Sequence, residues 1–513
     1  MPDGLQHPEL PQHRGPAGGP GRKTIWDRAF APVDIAFLVY FRIVLGTLFL
    51  ANVLFYYEID AVHTRYILPR FHFTYHGFEW VRLWPGNGIH WHLGGLGLLA
   101  ACIAVGFCYR ISACLFALGL THFFLIDKAY FQNHYYLLCL LAGIMAVLPA
   151  HRAFSVDAWR RPQIRLVTVP AWMLWLLRFQ LGVPYVFGGI AKLNRDWLAG
   201  EPMRSILAER TSYPFIGRFF TEEWCVQLFV QGGLWFDLLV VPALLWRRTR
   251  AAAYLAAVVF HVLNHTLFLI GVFPWFMIFA TAVYFPPDWP RRLLRRPRAD
   301  VRAGNCHLTW AGVSRTAKAG ALLLAGWCTF HIAWPLRHLA YSGDPSWTEQ
   351  GQLFAWRMML RDKRSFLRFH LTHLQTGLRG SLDPLDYITP FQLAMMSNDA
   401  GMIQEFSRFI ADEFLQRGHG DVEVRALVLT SLNGRKPQLF IDPHVNLAAE
   451  PRTFRQPHWI MPLTEPLRKD PWSVPMSEWP RHVDLPPLPS VDRPSSAASA
   501  PSNEVELESD SSH

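Results

Sequence analysis

Read from the amino terminus, the chain alternates long apolar stretches with short basic or aromatic connections until about residue 340. The apolar stretches fall at about 34–56, 89–108, 111–126, 135–150, 170–191, 225–246, 251–268, 270–285 and 318–338. Crossing the hydrocarbon of a bilayer takes about 20 helical residues, so the pattern predicts nine membrane-spanning helices. The stretches 111–126 and 251–268 are short and imply little tilt or partial protection. Beyond them the texture changes. Residues 364–382 alternate partly, as one or two strands do, and 399–417 carry an amphipathic helix capped by Gly418. The run VEVRALVLTSL, then Asn433-Gly434, then RKPQLFI predicts a hairpin, because Asn-Gly suits a type I′ turn. The expected fold is a multi-pass α-helical membrane domain over 31–340, followed by a small α+β extracytoplasmic domain over 341–471. Residues 1–30 read as a basic, disordered start with no apolar signal segment, and 472–513, rich in Pro and Ser, as a disordered tail.

Charge adds an orientation. Arg22, Lys23 and Arg28 precede the first span, and Arg152, Arg160, Arg161 and Arg165 follow the fourth. Arg247, Arg248 and Arg250 follow the sixth, and Arg291, Arg292, Arg295, Arg296 and Arg298 the eighth. With nine spans all four clusters share the side of the amino terminus, which the positive-inside rule makes cytoplasmic. The loops at 57–88, 127–134 and 192–224, and everything after the ninth span, then lie outside the cytoplasm. The protein is expected in the cell membrane of a bacterium or the endoplasmic reticulum of a eukaryote. A net charge of +10 on a chain 51% hydrophobic and 17% charged fits basic loops at a lipid bilayer, with no nucleic-acid partner expected. Cys102, Cys108, Cys114, Cys139, Cys225 and Cys328 lie in or beside apolar runs without a CxxC pair, as buried free thiols do.

Polar groups at membrane depth are functional candidates, because hydrocarbon penalises them. Of 49 basic residues only seven are Lys, and only Lys128 and Lys192 lie between the first and ninth spans. An Arg keeps its proton, whereas a desolvated Lys can become a neutral amine base. Lys192 follows PYVFGGIA, where Gly188 and Gly189 permit close helix approach. Two readings stay open for it: a base, or a lysine snorkelling from a helix end to the interface. The loop from Asp127 to His134 sets an acid, the Asn133 amide and an imidazole at one membrane edge, as a site or as an interfacial turn. His261 and His265 stand four apart in one span, as do His72 and His76 in the first outer loop. Neither pair has the Glu of an HExxH motif, so hydrogen-bonded packing is expected and no metal site. No Walker loop, GxGxxG or GxSxG occurs, which removes the simplest nucleotide and acyl-transfer chemistries.

Three membrane segments now resemble the vitamin K-dependent gamma-carboxylase family, whose members share the HTTM membrane domain. They are GFCYRISACLFAL with FFLIDKAYFQNHYYL (106–137), YVFGGIAKLNRDWLAGEPM (185–203), and FHVLNHTLFLIGVF (260–273) before PPDWPRRL. In the outer domain Trp356-Arg357-Met358-Met359 is similar to the family's Trp-Asp-Met-Met segment. LFIDPHVNL (439–447) is similar to its Phe-Asp-Pro-Arg-Val-Asp stretch. The resemblance covers about residues 30–465 in one order. It implies that Lys192 is the general base and that Asn133 and His134 stand at the reacting centre. Asp127 and Tyr185 would support them, and Trp356, Met358 and Met359 would line the substrate or cofactor site. The implied cosubstrates are reduced vitamin K (a menaquinol- or phylloquinol-type hydroquinone), O2 and CO2. Oxidation of the quinol to its epoxide supplies a base strong enough to take the γ-proton of a glutamate in a peptide or secreted protein, and the carbanion adds CO2. Ala191 and Arg357 depart from the family pattern, the latter replacing an acid, and no long C-terminal region follows to hold a propeptide. Other readings of the same chain are a non-catalytic membrane protein for transport or assembly, and a quinol epoxidase without carboxylation.

Overall fold

The computed structural model describes residues 24–268, 271–296 and 314–486. Each of the nine apolar stretches is a helix: α1 (Ala36–Glu58), α2 (Gly88–Val105), α3 (Tyr109–Leu125), α4 (Asn133–Val147), α5 (Ala171–Lys192), α6 (Glu223–Leu245), α7 (Arg250–Phe268), α8 (Phe273–Thr281) and α9 (Arg315–Ala333). Six of them, α1, α2, α5, α6, α7 and α9, are long and apolar enough to cross a membrane. The helices α3, α4 and α8 are shorter, so the described residues contain six full-length candidates among these nine helices. Continuous apolarity is what drives these helices, since a backbone in lipid must satisfy its own hydrogen bonds. Small residues set how closely they pack. A Cβ at Gly46 of α1 would lie 2.5 Å from the Ala100 carbonyl oxygen and 2.8 Å from Ala104 Cβ of α2, so glycine is what allows this crossing.

The bundle has two distinct ends. At one, Pro32–Asp34 pairs antiparallel with Thr168–Pro170, and Arg291 Nε lies 2.8 Å from Asp34 Oδ2. This end gathers the basic connections. At the other, the loops after α1, between α3 and α4, and after α5 all meet the outer domain. Phe73 and Ala129 are buried in that domain's own core beside Phe406 and Ile403. Lys128 Nζ sits 2.8 Å from Asp399 Oδ2, and Thr74 donates to Glu405 through both its N–H (2.8 Å) and hydroxyl (2.6 Å).

The outer domain is a four-stranded antiparallel sheet with a helix on one face. Its strands are β1 (Lys363–His373), β2 (Arg379–Leu382), β3 (Val422–Leu432) and β4 (Gln438–Leu439), in the order β2-β1-β3-β4. The central pair runs in register from Lys363 opposite Leu432 to His373 opposite Val422. Helix α10 (Ala400–Gln416) starts at an Asp399 cap that accepts from the Met402 N–H, and buries Ile403, Phe406 and Ile410 against the sheet. Gly418 ends it with φ +77°.

The turn at Asn433 and Gly434 has φ of +52° and +72°, as the sequence predicts. The pairing beyond it differs. The Arg435 N–H closes the turn on the Leu432 carbonyl, yet Thr430 faces Gln438, one residue out of step with a tight hairpin. Pro437 has no N–H to give the ladder, so the strand bulges and resumes only at Gln438. A second difference concerns residues 472–486, expected in the tail. Trp479 is 4% exposed and packs with Leu427 and Leu429 on the sheet face opposite α10. An indole buries enough apolar area to anchor a Pro-rich segment. The remainder of the tail, 487–513, and residues 1–23 lie outside the described residues.

Candidate functional site

Lys192 is the last residue of α5, and Tyr185, Gly188, Gly189 and Lys192 share one helix face at helical spacing. The two glycines bring α6 against that face: a Cβ at Gly189 would meet Leu238 Cδ2 at 2.8 Å and the Leu238 backbone nitrogen at 3.0 Å. The approach delivers Asp237. Its Oδ2 lies 2.5 Å from Lys192 Nζ, and the pair is buried, at 6% and 3% exposure. Apart from this contact, the Lys192 nitrogen has, among the described residues, a long approach of 3.5 Å to the Gly188 carbonyl and the Trp197 ring, 5.1 Å from Nζ to the centroid. Met358 of the outer domain closes the site from above. Its Cε lies 3.5 Å from where a Gly188 Cβ would stand, beside Asp237 Oδ2 at 3.2 Å.

His134, second in α4, stacks on Phe273 at 4.8 Å and 24°. It lines a cavity of about 290 Å3 with Asn52, Arg65, Tyr135 and a wall of phenylalanines. Next to it, Asn133 Oδ1 is buried with no hydrogen-bond partner among the described residues. Trp356 stacks on Tyr136 of the same helix at 4.9 Å and 28°. Its loop is strained: Glu349, Phe354, Trp356 and Met359 all have φ near +60°. Helices α4 and α5 pack together, but no hydrogen bond or ring contact joins His134 to Lys192 among the described residues. The structure thus brings Met358 to Lys192 and Trp356 to α4, while Met359 is 37% exposed.

Other sequence candidates find their own partners. Tyr185 OH lies 2.6 Å from His261 Nε2, and His265 Nδ1 is 3.2 Å from the Gly271 carbonyl. Asp127 takes the Ala129 N–H at 2.9 Å, the Gln392 amide at 2.8 Å and His72 Nδ1 at 3.0 Å. Those contacts make it a tie between the loop and the outer domain, and among the described residues no hydrogen bond links it to Asn133, His134 or Lys192. A second tie joins Asp196 to Arg435 through two bonds of 2.7 and 2.9 Å, with Asn433 adding a third at 2.8 Å. Burial works against the Asp196 carboxylate, yet these donors hold its pKa below the ordinary value. Arg357 is retained within its own loop, donating to Gln352 Oε1 at 2.9 Å and Ser346 Oγ at 3.4 Å.

Asp237 is the site residue the sequence reading missed. Its signal was present: it is a carboxylate inside GGLWFDLLVV, where hydrocarbon penalises charge.

A helical bundle carrying a buried amine–carboxylate pair, roofed by an α+β module, defines a membrane protein with its candidate chemistry at the boundary of the two parts. Comparison gives this architecture a family. The HTTM domain matches residues 30–289, and the lumenal domain of vitamin K-dependent gamma-carboxylase matches 316–466. The chain belongs to the vitamin K-dependent gamma-carboxylase family. No solved structure matches it.

Proposed function

We propose that the protein is a gamma-glutamyl carboxylase-like membrane enzyme, coupling oxidation of vitamin K hydroquinone by O2 to carboxylation of glutamate in a peptide or secreted protein. The observation that carries this is the buried Lys192–Asp237 pair under Met358, in a chain whose two parts both match that family. The residues present suit an aromatic diol. The cavity at His134 offers flat apolar walls with an imidazole and an amide at its lining, and Asn133 Oδ1 beside it is a buried acceptor without a partner. Asn52, Asn133 and His134 would hold the head group there. Bound reduced vitamin K supplies, with O2, the strong base that no side chain reaches near neutral pH.

The chain's own part is proton handling and exclusion of water. Lys192 and Asp237 hold one proton between them, and the pair is neutral overall whichever partner carries it. With the proton on Asp237, the Lys192 amine has a free lone pair and acts as the general base. Arginine at 192 would keep its proton and fail. Met358 and Trp356 cover the boundary, so the amine works out of contact with bulk water.

The same structure supports the orientation read from charge. The three loops expected outside the cytoplasm meet the outer domain, and the basic connections gather at the opposite end. A peptide would approach from the outer side and a lipid quinol laterally. The test is to give the purified protein vitamin K hydroquinone, a glutamate-containing peptide and labelled CO2. Label in the peptide together with epoxide is the expected result. Epoxide with an unlabelled peptide would leave an epoxidase without carboxylation, and neither product would end the enzymatic reading.

A further inference from the structure

At the basic end of the bundle a second cavity, of about 840 Å3, opens between α1, the end of α2 and the connection from Arg152 to Val167. Its chemistry is divided. Arg42, Arg152 and Arg165 line one part, and Ile43, Thr47, Ala104 and Val105 the other. Arg42 is 1% exposed and gives its terminal nitrogens to the Ala150 (3.1 Å) and Phe154 (2.6 Å) carbonyls. Its Nε has no partner among the described residues, and neither has the buried Nε of Arg152. The nearby carboxylate does not fill this gap: Asp157 accepts the Cys108 and Tyr109 N–H groups at 2.9 and 2.8 Å. Two guanidinium groups that each keep an unpaired buried donor beside one cavity are expensive, and an anion in that cavity offsets their charge.

The surroundings say which anion. Trp159 and Phe154 stand 75% and 78% exposed at the mouth, and Val105 is 53% exposed on the helix wall. Exposed indole and phenyl rings beside arginines mark the boundary between head groups and hydrocarbon. From Arg42 to Thr47 the wall runs about 7.5 Å along α1 at about 1.5 Å per residue, from charge toward the middle of the helix. An inorganic ion would leave that apolar wall bare.

We propose that this groove binds an acidic phospholipid, with its phosphate on Arg42, Arg152 and Arg165 and an acyl chain along Thr47, Ala104 and Val105. Basic pockets between spans are suited to such head groups. Binding there joins α1 to α2 and to the connection that follows α4.

Native mass spectrometry of the full chain in an uncharged detergent tests this, with dioleoyl phosphatidylglycerol and dioleoyl phosphatidylcholine as the two probes. Phosphatidylglycerol is retained preferentially. The Arg152→Gln, Arg165→Gln double variant reduces its retention by about tenfold or more, the loss of charge-assisted hydrogen bonds, and leaves phosphatidylcholine unchanged. Thr47→Trp keeps every arginine, fills the apolar part, and reduces retention as well. Gel filtration confirms that both variants fold, and the two act on opposite ends of the groove. Equal retention of the two lipids by the unaltered protein overturns the proposal, and so does undiminished phosphatidylglycerol in both folded variants. Displacement of the lipid by millimolar inorganic phosphate overturns it too, in favour of a soluble anion.

Discussion

Two lysines are buried among the described residues, one in each half, and they are held in opposite ways. In the outer domain Lys363 Nζ donates to the Trp347 and Asn398 carbonyls, each at 2.6 Å, and approaches Glu349 Oε1 at 3.4 Å. Its remaining face lies 3.9 Å from the centroid of the Phe440 ring. In the membrane part Lys192 has one strong partner, Asp237, at 2.5 Å. An ammonium has three donors, so Lys363 is saturated and Lys192 is not. Saturation makes a clamp: Lys363 fixes the start of β1 to the loop that leads toward the membrane part. An incompletely satisfied amine beside a carboxylate can exchange its proton with a third group. Burial alone therefore does not distinguish the two lysines; the count of acceptors around each does, and it suits Lys192 to the role proposed for it.

The comparison can be broken by experiment, beginning with the largest effect. Lys192→Met and Lys192→Arg are both expected to lower quinol epoxidation by about 10²- to 10⁴-fold, the contribution of a general base. Product formation per folded molecule measures it, and a Lys192→Arg variant with normal turnover would show that a fixed charge suffices. Stability comes next. Removing Lys192 alone leaves Asp237 buried and uncompensated, a loss of about 3–5 kcal/mol, whereas Lys192→Met with Asp237→Leu recovers most of it. Denaturation of the detergent-solubilised single and double variants reads this directly. Recovered stability without recovered activity would separate the pair's chemistry from its packing.

Lys363→Met is expected to cost about 2–3 kcal/mol by orphaning two carbonyls, with turnover per folded molecule retained. The smallest effect is a slope with pH. Burial lowers the Lys363 pKa from an ordinary 10.5 to about 8, although Glu349 pulls it upward. Between pH 8 and 10.5 the unfolded chain therefore holds more protons than the folded one, so this group adds stability as pH rises. Thermal unfolding of the Lys363→Met variant should show that slope flattened, and an unchanged slope would assign it to other groups.

Much of the architecture was legible in the chain. All nine apolar stretches became helices within a few residues of their expected limits, because continuous apolarity over a span has one structural answer in lipid. The capped helix before Gly418 and the Asn433-Gly434 turn followed from local rules in the same way. What resisted was anything decided by a distant partner. Asp127 looked like part of a site because it neighbours Asn133 and His134 in sequence. Its carboxylate faces Gln392, 265 positions away, which no spacing reveals. Lys363 sits in RDKRS, a stretch that reads as solvated, and is buried only because Trp347 and Phe440 fold over it. Trp479 likewise overrode the polar composition around it.

The most direct measurement sets the two lysines side by side. Epoxide formed from vitamin K hydroquinone is determined for the unaltered protein, Lys192→Met and Lys363→Met, each normalised to folded protein. Epoxide formation should collapse in Lys192→Met and persist in Lys363→Met. Persistent epoxide formation in folded Lys192→Met would contradict the proposal that Lys192, paired with Asp237, is the base.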